Sequence, residues 1–580
     1  MKKTISICLL LTGIALAGCN KEGIFSDDPW NQNSEEGGST SGVTGATTLP
    51  LTQDEEDLIA GTTFSRTISI TFSNSGDAQV TGDENGIVTV KGNQVTVDNT
   101  TTSEKVRYEL SGTTSNGFLK IYSKNKQALV LNNVSITNPN GAAINNQGKK
   151  RCFIVLNGQN YLADGATYSA TPADEDEKAA FFSEGQLIFS GDGTLEVKAM
   201  GKAGITSDDY LNFLSGPTIQ VSSSAGHGLR GKDAVYVNGG SLSVQTSAHM
   251  KKGIVSDSLV VFNGGVTTVA VTGGTDYDDE DQEYKASAGV KADQCFVMND
   301  GTLTITNSGQ GGKGISGDGV AYFQGGTVDI TVTGSNYGQS SQGFGPWGGG
   351  SSSNDNSKSA KGIKFDGDIY ISGGSVSAKA SNHEGIESKG QIQITGGTVF
   401  AQSKDDAINS AGMLAVTGGF VCAYSTGNDG MDANGNMYIE GGVVYAIGSG
   451  TPEVALDANT EDRCNLYVNG GTLFTLGGLE GGAVLSQKCY QASSWNRNTW
   501  YSITVGNNTY SFKTPSSGGS GLVVSGSTQP TVKSNVSVTG GTQIFNGMGV
   551  VDGTVSGGSD VSLSANSGGN SGPGMGGRGW

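Results

Sequence analysis

A pair of glycines closing a short apolar strand recurs along the middle of the chain, and it limits the available folds more than any other feature. The pairs stand at 239/240, 264/265, 325/326, 373/374, 396/397, 418/419, 441/442 and 470/471, with Asp300-Gly301 in one slot. Where nothing is inserted, the period lies in the low twenties. A unit reads Gly, an aliphatic residue, two variable positions, often Asp, an alternating strand, Gly-Gly, a second strand and a polar turn. GIVSDSLVVFNGGVTTVAV and GIKFDGDIYISGGSVSAKA are two such units. Each holds about three short strands and no helical pattern, and none buries an apolar face alone. Strand-only repeats of this length stack as the coils of a right-handed parallel β-helix with one shared interior. A propeller is the alternative, but its blades need about twice this period. The expected fold class is therefore all-β: a parallel β-helix solenoid.

The boundaries follow from where the rhythm starts and stops. ALVLNNVSI, CFIVLNGQNYL and LIFSGDGTLEV keep it less regularly, so the helix is expected over 85–487, after a β-rich lead-in at 49–84. A β cap is expected over 488–560, because a solenoid must cover its last open coil. Residues 561–580 read as a Gly-rich disordered tail. TDYDDEDQEYK at 275–285 and the Gly-rich stretch 336–357 interrupt the period and read as loops thrown out from single coils, where function often sits.

The N-terminus gives an address. Lys2 and Lys3 precede the apolar run ISICLLLTGIALA, too short to span a bilayer and ending in small residues before Cys19. Leu16-Ala17-Gly18-Cys19 resembles the lipobox of bacterial lipoproteins. That resemblance implies a signal peptide at 1–18, a lipid on Cys19 as the only membrane attachment, a flexible tether at 19–48 and outer-membrane, surface-exposed display. The other cysteines of the mature chain, Cys152, Cys295, Cys422, Cys464 and Cys489, are too irregularly spaced for a disulfide framework or a zinc site. A net charge of −19 argues against nucleic acid as a partner and in favour of cations. The chain is expected to be a monomer.

Repetition turns sequence columns into rows of side chains about 4.8 Å apart. Three rows carry candidate chemistry. The first contains Asp257, Asp293, Asp318 and Asp366 in consecutive coils, of which Asp293, Asp318 and Asp366 are candidate metal ligands. Stacked carboxylates repel by roughly 1 kcal/mol each in water, so this row is either a set of outward turn caps or a line of Ca²⁺ ligands. The second row lies in the corners HEGIES, KDDAINS, NDGMDAN and EVALDAN. They bring together Glu384, Glu387, Asp405, Asp406, Asp429, Asp432 and Asp457, an oxygen-rich set suited to Ca²⁺ or a solvated acidic face. The third holds Tyr322, Tyr370, Tyr438 and Tyr467, three residues before a Gly-Gly. Alternation turns them outwards, where they are either sugar-stacking rings or good strand formers beneath a cover.

LNNVSITN, LNGQNYLADG, AAFFSEGQLIFSGDGTLEV, GKAGITSDDYL and GLRGKDAVYVNGGSLSV occur in order. On these segments, over about residues 60 to 487, the chain resembles secreted bacterial carbohydrate-binding proteins with a pectate-lyase-like parallel β-helix. The resemblance implies binding of polysaccharide, cellulose or polygalacturonate, together with Ca²⁺. In the related lyases, Asp clusters like Asp406, Asp429 and Asp432 hold Ca²⁺ against a uronate while a Lys or Arg takes the adjacent proton. Here Lys389 and Lys404 precede the cluster and Arg463 is the first base after it, so the lyase pattern is incomplete. The expected function is that of a calcium-binding, polysaccharide-binding cell-envelope lipoprotein without catalysis, for acidic or plant cell-wall glycans. The alternatives are a pectate-type lyase and a structural or adhesive surface protein.

Overall fold

The computed structural model describes residues 54–338 and 357–568. The expected signal peptide, Cys19, the tether, most of the 336–357 loop and the end of the tail lie outside these residues. Among the described residues the only helical elements are three-residue 3-10 turns; the rest of the regular structure is strand. One coil consists of Lys361–Phe365 on a first face, Ile369–Ile371 on a second and Ser375–Ala380 on a third. The next coil repeats this with Ile386–Ser388, Ile392–Ile394 and Thr398–Ser403, each strand parallel to its counterpart. The first face is a 15-stranded sheet, parallel beyond its opening hairpin. The chain is thus a parallel β-helix. Stacking begins at Arg66–Phe72, which pairs in parallel with Val106–Thr114 inside and just after the expected lead-in.

Two features of the repeat explain why these residues coil. Ile363, Ile386, Ile408, Met431 and Leu456 stack in register as one inward column, each with no exposed surface. Burial of such side chains contributes about 1.5–3 kcal/mol apiece. The glycine before each aliphatic residue is small for want of space: a Cβ on Gly289 would lie 2.4 Å from Ile305 Cγ2 and 2.8 Å from the Gly314 carbonyl oxygen. The second residue of each Gly-Gly has a different reason. Gly374, Gly397 and Gly442 take φ of 72°, 76° and 73°, a left-handed backbone that side chains resist. The amides of Asn212, Asn238, Asn263 and Asn299 add a ladder of hydrogen bonds between coils, 2.7–2.8 Å long.

Both ends of the chain fold back onto the coils. Asp57 accepts hydrogen bonds from Arg151, Tyr210 and Asn212, and Phe64 packs edge-on against Phe153 of the second face. On the third face one outward column is polar at Thr304, Asp329 and Ser377, then turns apolar at Phe400, Cys422, Tyr445 and Phe474. A six-stranded antiparallel sheet within residues 500–560 covers that apolar stretch, with Tyr501 and Phe512 in the shared core. Ser520–Ser525 pairs antiparallel with Thr472–Leu476, closing the open edge of the last third-face strand.

Candidate functional site

Each coil turns a corner between its third and first faces, and from residue 383 to 457 that corner carries three adjacent columns. Two residues before the repeat Gly or Ala stand His383, Asp405, Asn428 and Glu453; immediately before it stand Glu384, Asp406, Asp429 and Val454. On the first face Glu387, Asn409, Asp432 and Asp457 are in direct register. Side chains of one coil grip the next. Asp406 accepts from the Asp429 N–H at 3.1 Å, and Asp429 from the Val454 N–H at 2.5 Å. Asp405 meets His383 at 3.1 Å and accepts from Asn428 at 3.0 Å. The Asn409 amide donates to Asp406 and Asp432, 3.0 Å each.

Charge divides this edge in two. At one end Lys361 lies 3.1 Å from Glu384 and also binds Glu387, which Lys389 reaches from the other side. Burial opposes ionisation of Glu384, yet His383 and Lys361 hold its carboxyl down to about 2. Further along, no Lys or Arg occurs between residues 405 and 462. There burial raises Asp406 to about 8; the Asn409 hydrogen bond opposes this, and neighbouring Asp432, Asp405 and Asp429 add to it. Burial and the neighbouring Glu453 and Asp432 raise Asp429 to about 7, although the Val454 N–H opposes it. Burial, then Asp405, Glu384 and Glu453, raises Asp432 to about 6. Asp457 rises to about 8 through burial and its hydrogen bond with Glu480. Four carboxyls thus share a low-dielectric edge without a basic partner among the described residues. Oxygen without sulfur is the donor chemistry of a hard cation such as Ca²⁺; among the described residues, however, the groups whose ligand atoms already lie within 4.8 Å of one another are His383, Glu384 and Asp405, at the end of this edge, and Asp176, Glu184 and Asp208.

The structure separates the sequence candidates accordingly. Asp406, Asp429, Asp432 and Asp457 are spread along one edge over successive coils, Asp406 and Asp432 bridged by Asn409; Asp405 converges with His383 and Glu384. Glu384 and Glu387 lie on the same edge but pair with Lys361, so the seven carboxylates differ in their charge partners. The Asp row is paired too: Lys291 binds both Asp293 and Asp318, and Lys364 binds Asp366. Lysines two positions earlier project from the same face and break the like-charge row.

The tyrosine column is also arranged differently from a flat platform. Tyr322 and Tyr370 are buried, 7% and 8% exposed, and stack on each other at 5.3 Å and 12°. Tyr438 and Tyr467 are half-buried and stack at 4.9 Å and 8°. Rings one coil apart spend a face on each other, so the column offers edges and hydroxyls more than faces. Sequence reasoning missed His383 and Glu480. Glu480 follows Leu479, which pairs with Leu456 beyond the last clear repeat. Only a continued column would have found it.

A family model described as "Carbohydrate-binding domain-containing protein" matches residues 91–407, more than half of the chain. No curated protein matches. Among solved structures, "Structure of the polysaccharide lyase-like protein from C. thermocellum, Gadolinium derivative" is similar at 22% identity and a TM-score of 0.36. The likeness covers 46% of this chain and 97% of that one.

Proposed function

From the premise that the chain belongs to the family of carbohydrate-binding domain-containing proteins, we propose that it captures polysaccharide through Ca²⁺ held on the 405–457 corner edge. The observation that carries this reading is the group Asp406, Asp429, Asp432 and Asp457, whose carboxyls are driven up by burial and by one another with no basic partner among the described residues. A divalent cation relieves that repulsion, and a bound Ca²⁺ keeps room for oxygens of a ligand. The favoured glycans are acidic or plant cell-wall polysaccharides, whose uronate carboxylates supply such oxygens.

The chain's own residues orient this edge. Asn409 spaces Asp406 from Asp432, and the Asp429 and Val454 N–H groups fix one oxygen each of Asp406 and Asp429. The Lys361 cluster ends the acidic edge on one side. Capture without catalysis is the reading, since no Lys or Arg follows the cluster until Arg463. The lipobox-like Leu16-Ala17-Gly18-Cys19 supports lipid attachment at Cys19 and display at the outer-membrane surface.

Affinity electrophoresis through polygalacturonate, with calcium or with chelator, tests the proposal. Retardation in calcium and free migration in chelator are expected. Free migration under both conditions would favour a scaffold or adhesive role. Release of unsaturated uronides in calcium would make the protein a lyase.

A further inference from the structure

The two insertions in the repeat leave the helix at the same corner as the acidic edge, a few coils before it. Hydrogen bonds trace that corner from coil to coil: Thr275 N–H to the Gln310 carbonyl at 2.8 Å, Gly311 N–H to the Ser335 carbonyl at 2.7 Å, and Gln310 Nε2 to the Asn336 carbonyl at 3.0 Å. Asn382 Nδ2 then donates to the Gly334 carbonyl at 2.9 Å. The next residue is His383, where the carboxylate edge begins.

The first insertion folds as a two-stranded antiparallel hairpin, Asp276–Asp278 with Glu283–Lys285, in which Tyr277 and Tyr284 face each other directly. Their rings meet at 5.1 Å and 65°. Tyr337, at the base of the second insertion, is fixed by paired backbone hydrogen bonds with Lys358 of 2.8 and 3.0 Å. Its ring lies 5.4 Å from that of Tyr284, tilted by 42°. Tyr277 is 37% exposed, one of few large side chains left so open. These rings are inclined to one another, unlike the stacked pairs Tyr322/Tyr370 and Tyr438/Tyr467, so each contact covers the face of at most one of its two rings.

We infer that Tyr277, Tyr284 and Tyr337 form a platform for the pyranose rings of an extended polysaccharide whose next residues run along the corner to the carboxylate edge. This deepens the polysaccharide-binding reading above and rests on it. Tyrosine suits such a contact because it gives an apolar face to a sugar ring and a hydroxyl to its rim. Tyr337 enters the coil of Lys361, two coils before that of Asp406, which is about 10 Å along the axis and within the reach of one short glycan segment. The hairpin itself is rich in carboxylates, with Asp276, Asp279, Glu280 and Glu283 flanking the tyrosines. Because every galacturonate ring also carries a carboxylate, these side chains oppose binding electrostatically, and stacking on the tyrosines has to offset that repulsion.

The test uses the full chain, wild type against Tyr277→Ala/Tyr284→Ala and Tyr337→Ala, in calorimetric titration with oligogalacturonate in calcium. Affinity is expected to fall about five- to tenfold for each alanine variant, with Tyr337→Phe, which keeps the ring face and loses only the hydroxyl, falling less than Tyr337→Ala, and the calcium-dependent melting curve unmoved. Wild-type affinity in both alanine variants, with wild type itself binding, would overturn the platform and leave the calcium-edge reading standing. Failure of wild type to bind would overturn both.

Discussion

Asp406→Asn reverses its sign with calcium if the corner edge is a cation site. Asp406 is 6% exposed, and its carboxyl is raised from 3.8 to about 8, chiefly by burial, with the Asn409 hydrogen bond opposing and Asp432, Asp405 and Asp429 adding to the rise. Each pKa unit corresponds to about 1.4 kcal/mol, so holding this group ionised costs the fold at most about 6 kcal/mol relative to the unfolded chain. Solvent relaxation and sharing of charge along the row reduce the usable part to a few kcal/mol. Asparagine keeps an oxygen for the Asp429 N–H and removes the charge. In chelator at pH 8 the variant should therefore be more stable than wild type by about 2 kcal/mol, which raises the melting temperature by a few degrees. In calcium the order should invert. A ligand at a hundred times its Kd stabilises by about 2.7 kcal/mol, and the variant forfeits most of that. Calorimetric melting of both proteins under both conditions is the assay. A variant less stable than wild type in chelator would refute the repulsion, and an unchanged order in calcium would refute the site.

Three further outcomes follow from the same structure. Asp429 and Asp457 are raised to about 7 and about 8, so the native state keeps protons that the unfolded chain has released. Their favourable contribution is complete below about pH 4 and is lost as pH rises towards 8; melting temperature in chelator should fall across that window, and calcium should flatten the decline. Lys361→Met removes the cation shared by Glu384 and Glu387, 6% and 1% exposed, and leaves them only His383 and Lys389; it should cost about 2–3 kcal/mol in urea unfolding, partly recovered by adding Glu387→Gln. Gly289→Ala forces a Cβ to 2.4 Å from Ile305 Cγ2 and should cost about 1–3 kcal/mol in the same assay.

The helix was legible because the constraint repeats: a residue with positive φ at each Gly-Gly and an aliphatic residue beside each coil glycine leave little choice of fold. The corner carboxylates were legible for the same reason, since columns become rows once coils stack. Reading each column singly was the limit. Lys291 and Lys364 lie two residues before Asp293 and Asp366, on the same face by strand alternation. That spacing was available in the sequence, yet the neutralisation is visible only when two columns are read together. The tyrosine column was legible as a column but not in the planes of its rings. Alternation gives the side of the sheet but not the ring plane, and coil spacing favours rings stacked on one another. Tyr277, Tyr284 and Tyr337 escaped notice because their meeting depends on two insertions leaving one corner, which no period records.

The most direct test is calorimetric titration of calcium into the metal-stripped chain at about pH 7.5, alone and with polygalacturonate present. A saturable site is predicted, weakened at least tenfold by Asp429→Asn/Asp432→Asn and tightened by the polysaccharide, because the coupling between two ligands is reciprocal. Absence of saturable calcium binding, or binding that the double variant leaves intact, would contradict the assignment of the 405–457 edge.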